Sequence, residues 1–300
     1  MSQDPWSRWL LSVRHAGDAG HQRVVRAMAE RIRDRVLDAA GLGPGMTVAD
    51  LGAGEGLMAF GAMERAGPTL RAVLVDISAP LLAHAEAEAR ALGLAGRCAF
   101  VQASAERLEG LADGSVDVVV ARAALAYVAD KAAAFAECHR VLRPGGRLSI
   151  AEPIFRDQAL EAVALTRTVA AADDAPGGEF TRLLQRWKAA QFPSTGEALQ
   201  ASAIAGFDER DLVRLAGRAG FSPVHLELHV DVRPSTVRRW DVFLGTSPHP
   251  LAPPLAEILA ERFSEDERGL FEQVLRPLVE AGTLVESDAI AYLSAQKPGG

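Results

Sequence analysis

The stretch Val48-Ala49-Asp50-Leu51-Gly52-Ala53-Gly54-Glu55-Gly56 concentrates residues suited to binding chemistry. Its alternating glycines let backbone approach a ligand where a side chain would stand in the way. If a strand ends before the loop and a helix opens after it, the free N–H groups of the first helical turn face whatever the loop holds. Asp50, just ahead of the glycines, can face an ammonium group. Asp76 follows 20 residues after Gly56. An acidic side chain at that place accepts both hydroxyls of a ribose; its plainer use is to cap the next helix.

Such a loop works only if the flanking elements hold it. Met46 to Leu51 is short and apolar, as a buried strand is, and Leu57 to Ala66 has helical spacing. The alternation continues with strands at Leu70 to Ile77, Cys98 to Gln102 and Ser115 to Ala121, and helices at Ala79 to Leu92 and up to Val141. Arg143-Pro144-Gly145-Gly146 reads as a turn into a strand from Arg147 to Ala151. Strands that alternate with helices pair in parallel through right-handed crossovers, which defines an α/β fold. Near-continuous Val/Ile/Leu runs fit strands covered on both faces.

Upstream, Val24, Val25, Met28, Ile32, Val36 and Leu37 form one helical stripe between His21 and Ala40, ended by Gly41 to Gly45. Downstream, Phe155 to Ala205 is helical, and Phe207 to Ala219 is a helix with Asp208 as cap. Phe221 to Val232 alternates as a long strand does. Pro234 to Val285 is helical apart from the Pro-rich loop Ser247 to Pro254, and Asp288 to Ala295 is a last strand. The expected division is an N-terminal helical cap or lid (1–45), a cofactor-binding core (46–155), a helical insertion over the acceptor (156–206), a core helix and strand (207–233), a second helical insertion (234–286) and the last core strand (287–296).

Two ligand classes suit the loop: a dinucleotide, with its pyrophosphate over the glycines, and S-adenosylmethionine, with its methionine end there. Three details favour the second. The spacing is G-x-G-x-G rather than G-x-G-x-x-G. Asp50 is placed for an ammonium group, and Glu55 inside the loop repels a pyrophosphate.

With these residues in view, the sequence resembles the class I S-adenosylmethionine-dependent methyltransferases, in particular their small-molecule branch. The likeness rests on VADLGAGEG, LVDIS, VQASAERL, SVDVVVARAALAYV and RVLRPGGRLSIAEP, in that order, from Val48 to Pro153. It implies a Rossmann-like, doubly wound sheet of seven strands with the last antiparallel. It also implies that Asp50, Gly52 and Gly54 hold the methionine end and Asp76 the ribose, with Ile77 against the adenine. Ser104, Ala105 and Glu106 would line the adenine edge. Many relatives carry Asp where this chain has Ser104, a weaker, neutral acceptor. Arg122 would stand near the methionine carboxylate or the acceptor. The implied activity is methyl transfer to a small organic or peptide-like metabolite, in bacterial secondary metabolism. The alternatives are a nicotinamide-dependent oxidoreductase and a non-catalytic S-adenosylmethionine-binding regulatory module.

Two residues are candidates for a general base, should the acceptor carry a proton that must leave. Glu152 stands at the carboxyl end of a central strand, where open α/β sheets place ligands; its other reading is a cap or lid salt bridge. His15 lies in a tryptophan-rich N-terminal segment that can fold over the site. Tyr127 reads as core or wall. His84 and His139 read as surface residues, and His225 and His229 as facing outward.

Composition excludes other classes. Hydrophobic residues make up 49% and charged residues 24% of 300, so the chain is neither disordered, collagenous nor coiled coil. A net charge of −7 without a basic run argues against nucleic acid as partner. No apolar run reaches about 18 residues, so no membrane span is expected. The start lacks a secretory pattern. Only Cys98 and Cys138 occur, which points to a cytoplasmic, reducing location and excludes a Cys-rich metal site. No metal is expected, and the sequence leaves monomer or homodimer open.

Overall fold

The computed structural model describes residues 4–171 and 178–299. Seven strands form its sheet: β1 (Thr47–Leu51), β2 (Arg71–Asp76), β3 (Cys98–Gln102), β4 (Val116–Arg122), β5 (Leu142–Pro153), β6 (Val224–Pro234) and β7 (Val285–Gln296). Their order is β3-β2-β1-β4-β5-β7-β6, with β7 antiparallel to both its neighbours and the first five strands parallel. This is the doubly wound, Rossmann-like arrangement that the resemblance implies, with the parallel pairing that the alternation predicts. The chain leaves β1 toward β2 on one side and returns to β4 on the other. A crevice therefore opens at the carboxyl ends of β1 and β4, where such sheets take ligands.

The two faces of the sheet are covered separately. Alternate residues of a strand point to opposite faces. Val118 and Val120 accordingly join a cluster with Val36 and Leu37 of α2 (Ala19–Ala40), Met58 and Ala62 of α3 (Leu57–Ala66), and Ala85 of α4 (Ala79–Ala91). Val119 and Ala121 join the opposite cluster with Phe135 of α5 (Lys131–Val141) and Leu212 of α9 (Glu209–Arg218). Asp208 caps α9 with a full capping box, as its position predicts.

The helical insertions comprise α6 (Arg156–Ala171), α7 (Glu179–Gln191) and α8 (Gly196–Ala201), then α10 (Trp240–Gly245), α11 (Leu255–Arg262) and α12 (Glu265–Ala281). They are not two separate caps. Leu183 of α7 packs with Trp240, Leu255, Ile258 and Phe271 in one apolar cluster. Residues 172–177 of the first insertion and 1–3 of the N-terminal cap lie outside the described residues. Among the described residues no helix is long and apolar enough to cross a membrane.

Three local differences from the sequence expectation have physical causes. The Arg143 to Gly146 turn does not precede β5 but bulges within it, since Val116 pairs with Leu142 and Val118 already with Arg147. The last strand starts at Val285, because its antiparallel partner β6 continues to Pro234. A short helix, α1 (Pro5–Leu11), precedes α2 where no helical periodicity is readable. Asp4 caps it, accepting from the Ser7 N–H at 2.9 Å.

Candidate active site

The glycine loop is fixed first by backbone. Gly52 and Ala53 donate to the Val75 carbonyl at 2.8 and 3.0 Å, which pins the end of β1 against the end of β2. Gly52 has φ 65°, and a Cβ there would lie 2.5 Å from the Ala124 side chain. Gly54 has φ 54°, and a Cβ there would lie 2.9 Å from Leu10. No larger residue fits either place without moving the wall opposite.

Asp76 completes the loop. Its Oδ2 accepts from Gly54 N–H at 2.9 Å and its Oδ1 from Ser78 N–H at 2.8 Å. It therefore braces the loop as well as facing the cavity. Each carboxylate oxygen keeps a second lone pair for a ligand donor. Burial raises its pKa, opposed by those backbone hydrogen bonds. Capping of α4 falls instead to Ser78, whose hydroxyl accepts from Leu81 N–H and donates to Asp4 at 2.7 Å. The N-terminal segment is thereby tied to the site.

A cavity of about 330 Å³ opens above these groups. Gly52, Gly54, Asp76, Ile77, Ser104, Ala105, Glu106 and Arg122 all line it. Aromatic and apolar side chains line it as well: Trp6, Trp9 and Leu10 of the N-terminal segment, with Tyr127 and Pro250. Trp6 meets Tyr127 edge to face at 5.2 Å, and Tyr127 lies 6.3 Å from Phe155. Burial and the charge of Glu152 push the Tyr127 hydroxyl upward, so it stays protonated.

Two lining residues have additional local duties, and a third is left exposed. The Ser104 hydroxyl accepts from Glu106 N–H at 3.2 Å. Glu106 accepts from Asp130 N–H at 2.7 Å and so holds the start of α5. Ile77 is 49% exposed, an apolar side chain left open at the rim beside Asp76.

Asp50 does not line the cavity. It is fully buried, its Oδ2 accepts from Ala59 N–H at 3.0 Å, and its Oδ1 has no hydrogen-bond partner among the described residues. Burial pushes its pKa up to about 7. Arg122 faces the cavity, and no hydrogen bond or ion pair holds it among the described residues. Burial lowers its pKa, while Asp50, Glu55 and Glu152 favour its charge.

Sequence reasoning missed Arg14. Its guanidinium lies 3.6 Å from Glu55 and stacks over Trp9 at 5.6 Å. Its Nε is buried without a hydrogen-bond partner among the described residues, and burial together with Arg122 lowers its pKa to about 10. No spacing in the sequence marks it, because it meets the loop only through the fold of α1.

The two base candidates sit away from the cavity surface. Glu152 is fully buried and accepts from Ala124 N–H at 3.1 Å and Ala126 N–H at 2.8 Å. It secures the turn after β4, where Ala123 takes φ 52°, a strained value for a residue with a Cβ. Burial pushes its pKa up to about 7. His15 is buried and accepts from Gly17 N–H at 3.2 Å through Nδ1, outside the cavity lining. Lys131 also supports the turn, since its ammonium donates to the carbonyls of Ala126, Val128 and Ala203. His225 and His229 flank Glu227; His225 is exposed as expected, but His229 is half-buried, edge to face with Tyr292 at 5.0 Å. His249 is buried, donating to Gln191 O at 2.8 Å.

Comparison with known proteins bears on this geometry. A family model described as a methyltransferase domain matches residues 42–191, half of the chain. The ubiquinone/menaquinone biosynthesis C-methyltransferase of Haemophilus ducreyi is 38% identical over 122 residues, which cover 40% of this chain and 47% of that one. The nocamycin O-methyltransferase of Saccharothrix syringae is 32% identical over 180 residues, covering 58% of this chain and 64% of that one. The chain spans about half the length of the curated C-methyltransferases it matches. Among solved structures, the YcgJ protein of Bacillus subtilis has the same fold, with TM-score 0.53, 18% identity, and coverage of 90% of this chain and 99% of that one.

Proposed function

We propose, from the premise that the chain belongs to the methyltransferase-domain family and is a class I S-adenosylmethionine-dependent methyltransferase, that it methylates a small organic or peptide-like metabolite with an apolar body, in bacterial secondary metabolism. One observation carries the choice of acceptor. The cavity is lined by polar groups, among them Asp76, Glu106 and Arg122, and also by the aromatic rings of Trp6, Trp9 and Tyr127.

The residues present fit the cofactor. Gly52 and Gly54, with φ 65° and 54° and no room for a Cβ beside Ala124 and Leu10, leave bare backbone along the cavity. Asp76 offers a free lone pair on each oxygen to the two ribose hydroxyls. Ile77, Ser104, Ala105 and Glu106 form the adenine side. Arg122, free toward the cavity, takes the carboxylate, and Arg14 reinforces it from beneath. Asp50 acts from below, holding the first turn of α3 and setting negative charge near the ammonium end. S-adenosylmethionine, when bound, supplies a methyl already activated by the sulfonium charge.

The protein's share is then orientation and exclusion of water. Trp6 and Trp9 close the carboxyl edge of the sheet, and the Tyr127 hydroxyl, held protonated, donates toward the acceptor. Glu152 and Lys131 are positioning residues for the turn that carries Tyr127. Neither Glu152 nor His15 is asked to remove a proton in this reading.

Calorimetric titration with S-adenosylhomocysteine and with NAD, followed by transfer of labelled methyl to phenols, amines, carboxylates and short peptides, tests the proposal. Binding of S-adenosylhomocysteine and turnover of an apolar acceptor support it. Binding of NAD alone returns the chain to the oxidoreductase reading. Tight S-adenosylhomocysteine binding with no transfer across the panel leaves a regulatory module.

A further inference from the structure

The outer edge of the sheet lies away from the cavity and has a pattern of its own. β6 is the edge strand beyond β7, and among the described residues no strand pairs with its outer side. It runs for 11 residues. An edge of that length presents a row of unpaired backbone donors and acceptors, which proteins normally shorten, bulge or cover. Its even-numbered side chains share one face. At the start of the strand Val224 and Leu226 pack against the cluster that holds Leu212, Ala216 and Leu293. Farther along, Leu228, Val230 and Val232 are 41%, 53% and 68% exposed. The other face carries His225, Glu227, His229, Asp231 and Arg233; within the chain Glu227 pairs with Arg35, and Arg233 with Asp288 at 2.6 Å.

We propose that β6 pairs antiparallel with β6 of a second copy of this chain, about a two-fold axis at Val230, so that one sheet runs through a homodimer. The self-complementarity of the strand carries this. Directly opposite residues of an antiparallel pair share a face, so the axis must pass at a residue and not between two. An axis at Val230 sets Val230 against its own symmetry mate and Leu228 against Val232 of the partner subunit. On the other face it sets His229 opposite Asp231 of the partner subunit, and Glu227 opposite Arg233 of the partner subunit. An axis one residue earlier, at His229, puts Glu227 opposite an aspartate. One residue later, at Asp231, it puts two aspartates together. Like charges directly opposite destabilise a pair. An axis at Leu228 keeps charges complementary but sets Val232, the most exposed of the apolar side chains on β6, against Val224, which already has cover. The same patch serves both copies, as a closed two-fold dimer requires.

Sedimentation equilibrium of the full chain, from low to high micromolar concentration, reads the proposal. The wild type is expected to be a dimer, and Val230→Lys, which sets two like charges on the axis, a monomer that still binds S-adenosylhomocysteine. Cysteine variants read the register. Residues opposite each other across an antiparallel pair have Cα atoms about 4.5–5.5 Å apart, within the range a disulfide spans. Val230→Cys should therefore link into covalent dimers on mild oxidation. In Val232→Cys the two thiols belong to residues about 13 Å apart along the strands, and no link should form. A wild type that stays monomeric, a Val230→Lys variant as dimeric as the wild type, or Val232→Cys linking as readily as Val230→Cys overturns the proposal.

Discussion

Replacing Asp76 by alanine removes two things at once, and the structure lets them be separated. The carboxylate braces Gly54 and Ser78 through their N–H groups, and it offers one further lone pair per oxygen to the ribose. A hydrogen bond to a charged group contributes about 1.5–3 kcal/mol. Losing both ribose bonds should weaken S-adenosylhomocysteine binding by roughly 100-fold or more, at about 1.4 kcal/mol per tenfold. Stability should fall too, since two backbone donors lose their acceptor at about 1–3 kcal/mol each if they stay buried. Asp76→Asn isolates the ligand's share. Its one remaining oxygen can still accept from Gly54 or Ser78, and the neutral group weakens both ribose bonds without emptying the site. Affinity should drop roughly 10-fold with a smaller loss of melting temperature. Isothermal titration calorimetry and thermal unfolding of both variants give the two quantities. A folded Asp76→Ala protein with an unchanged dissociation constant refutes the reasoning and takes Asp76 out of the ligand site.

Other consequences follow from the same geometry. Glu152 has a pKa pushed up to about 7 by burial, so the native state holds its proton more tightly than the unfolded chain does. Its contribution to stability is present below the ordinary carboxylate range and lost as pH rises through about 7. Glu152→Gln should flatten the fall in melting temperature between about pH 5 and 8. It should also lower kcat without moving the pH profile of kcat/KM; a profile that loses an ionisation makes Glu152 a base. Arg122→Ala should weaken cofactor binding by roughly tenfold or more, with Arg14→Ala doing so less, as titration calorimetry would read; unchanged affinity in Arg122→Ala removes it from the carboxylate site. Removing residues 1–18, with α1 and His15, should abolish methyl transfer while the core still binds S-adenosylhomocysteine. Full turnover by the truncated chain refutes the lid.

The central sheet was legible because its inner parallel strands are largely buried on both faces and so read as apolar runs: Val118 to Ala121 and Ala72 to Val75 needed no partner to be recognised. The same holds for the loop, whose glycines and acids are local in sequence. Legibility ended where a residue's role depends on distant chain. Nothing in the sequence near Arg14 indicates Glu55 or Arg122, and α1 is too short for a periodic pattern. Glu152 looked like a ligand-edge acid because strand ends usually face the crevice; the turn at Ala123 instead brings the N–H groups of Ala124 and Ala126 over it. Leu183 and Phe271 lie far apart in sequence, so the apolar cluster that they share across the two insertions was not legible.

A crystal structure with S-adenosylhomocysteine tests the central claim most directly. The account predicts both ribose hydroxyls within hydrogen-bond reach of Asp76, the carboxylate on Arg122, and the sulfur turned toward the wall of Trp6 and Tyr127, where an acceptor must enter. A ligand whose ribose lies away from Asp76, or whose sulfur faces away from that aromatic wall, contradicts it.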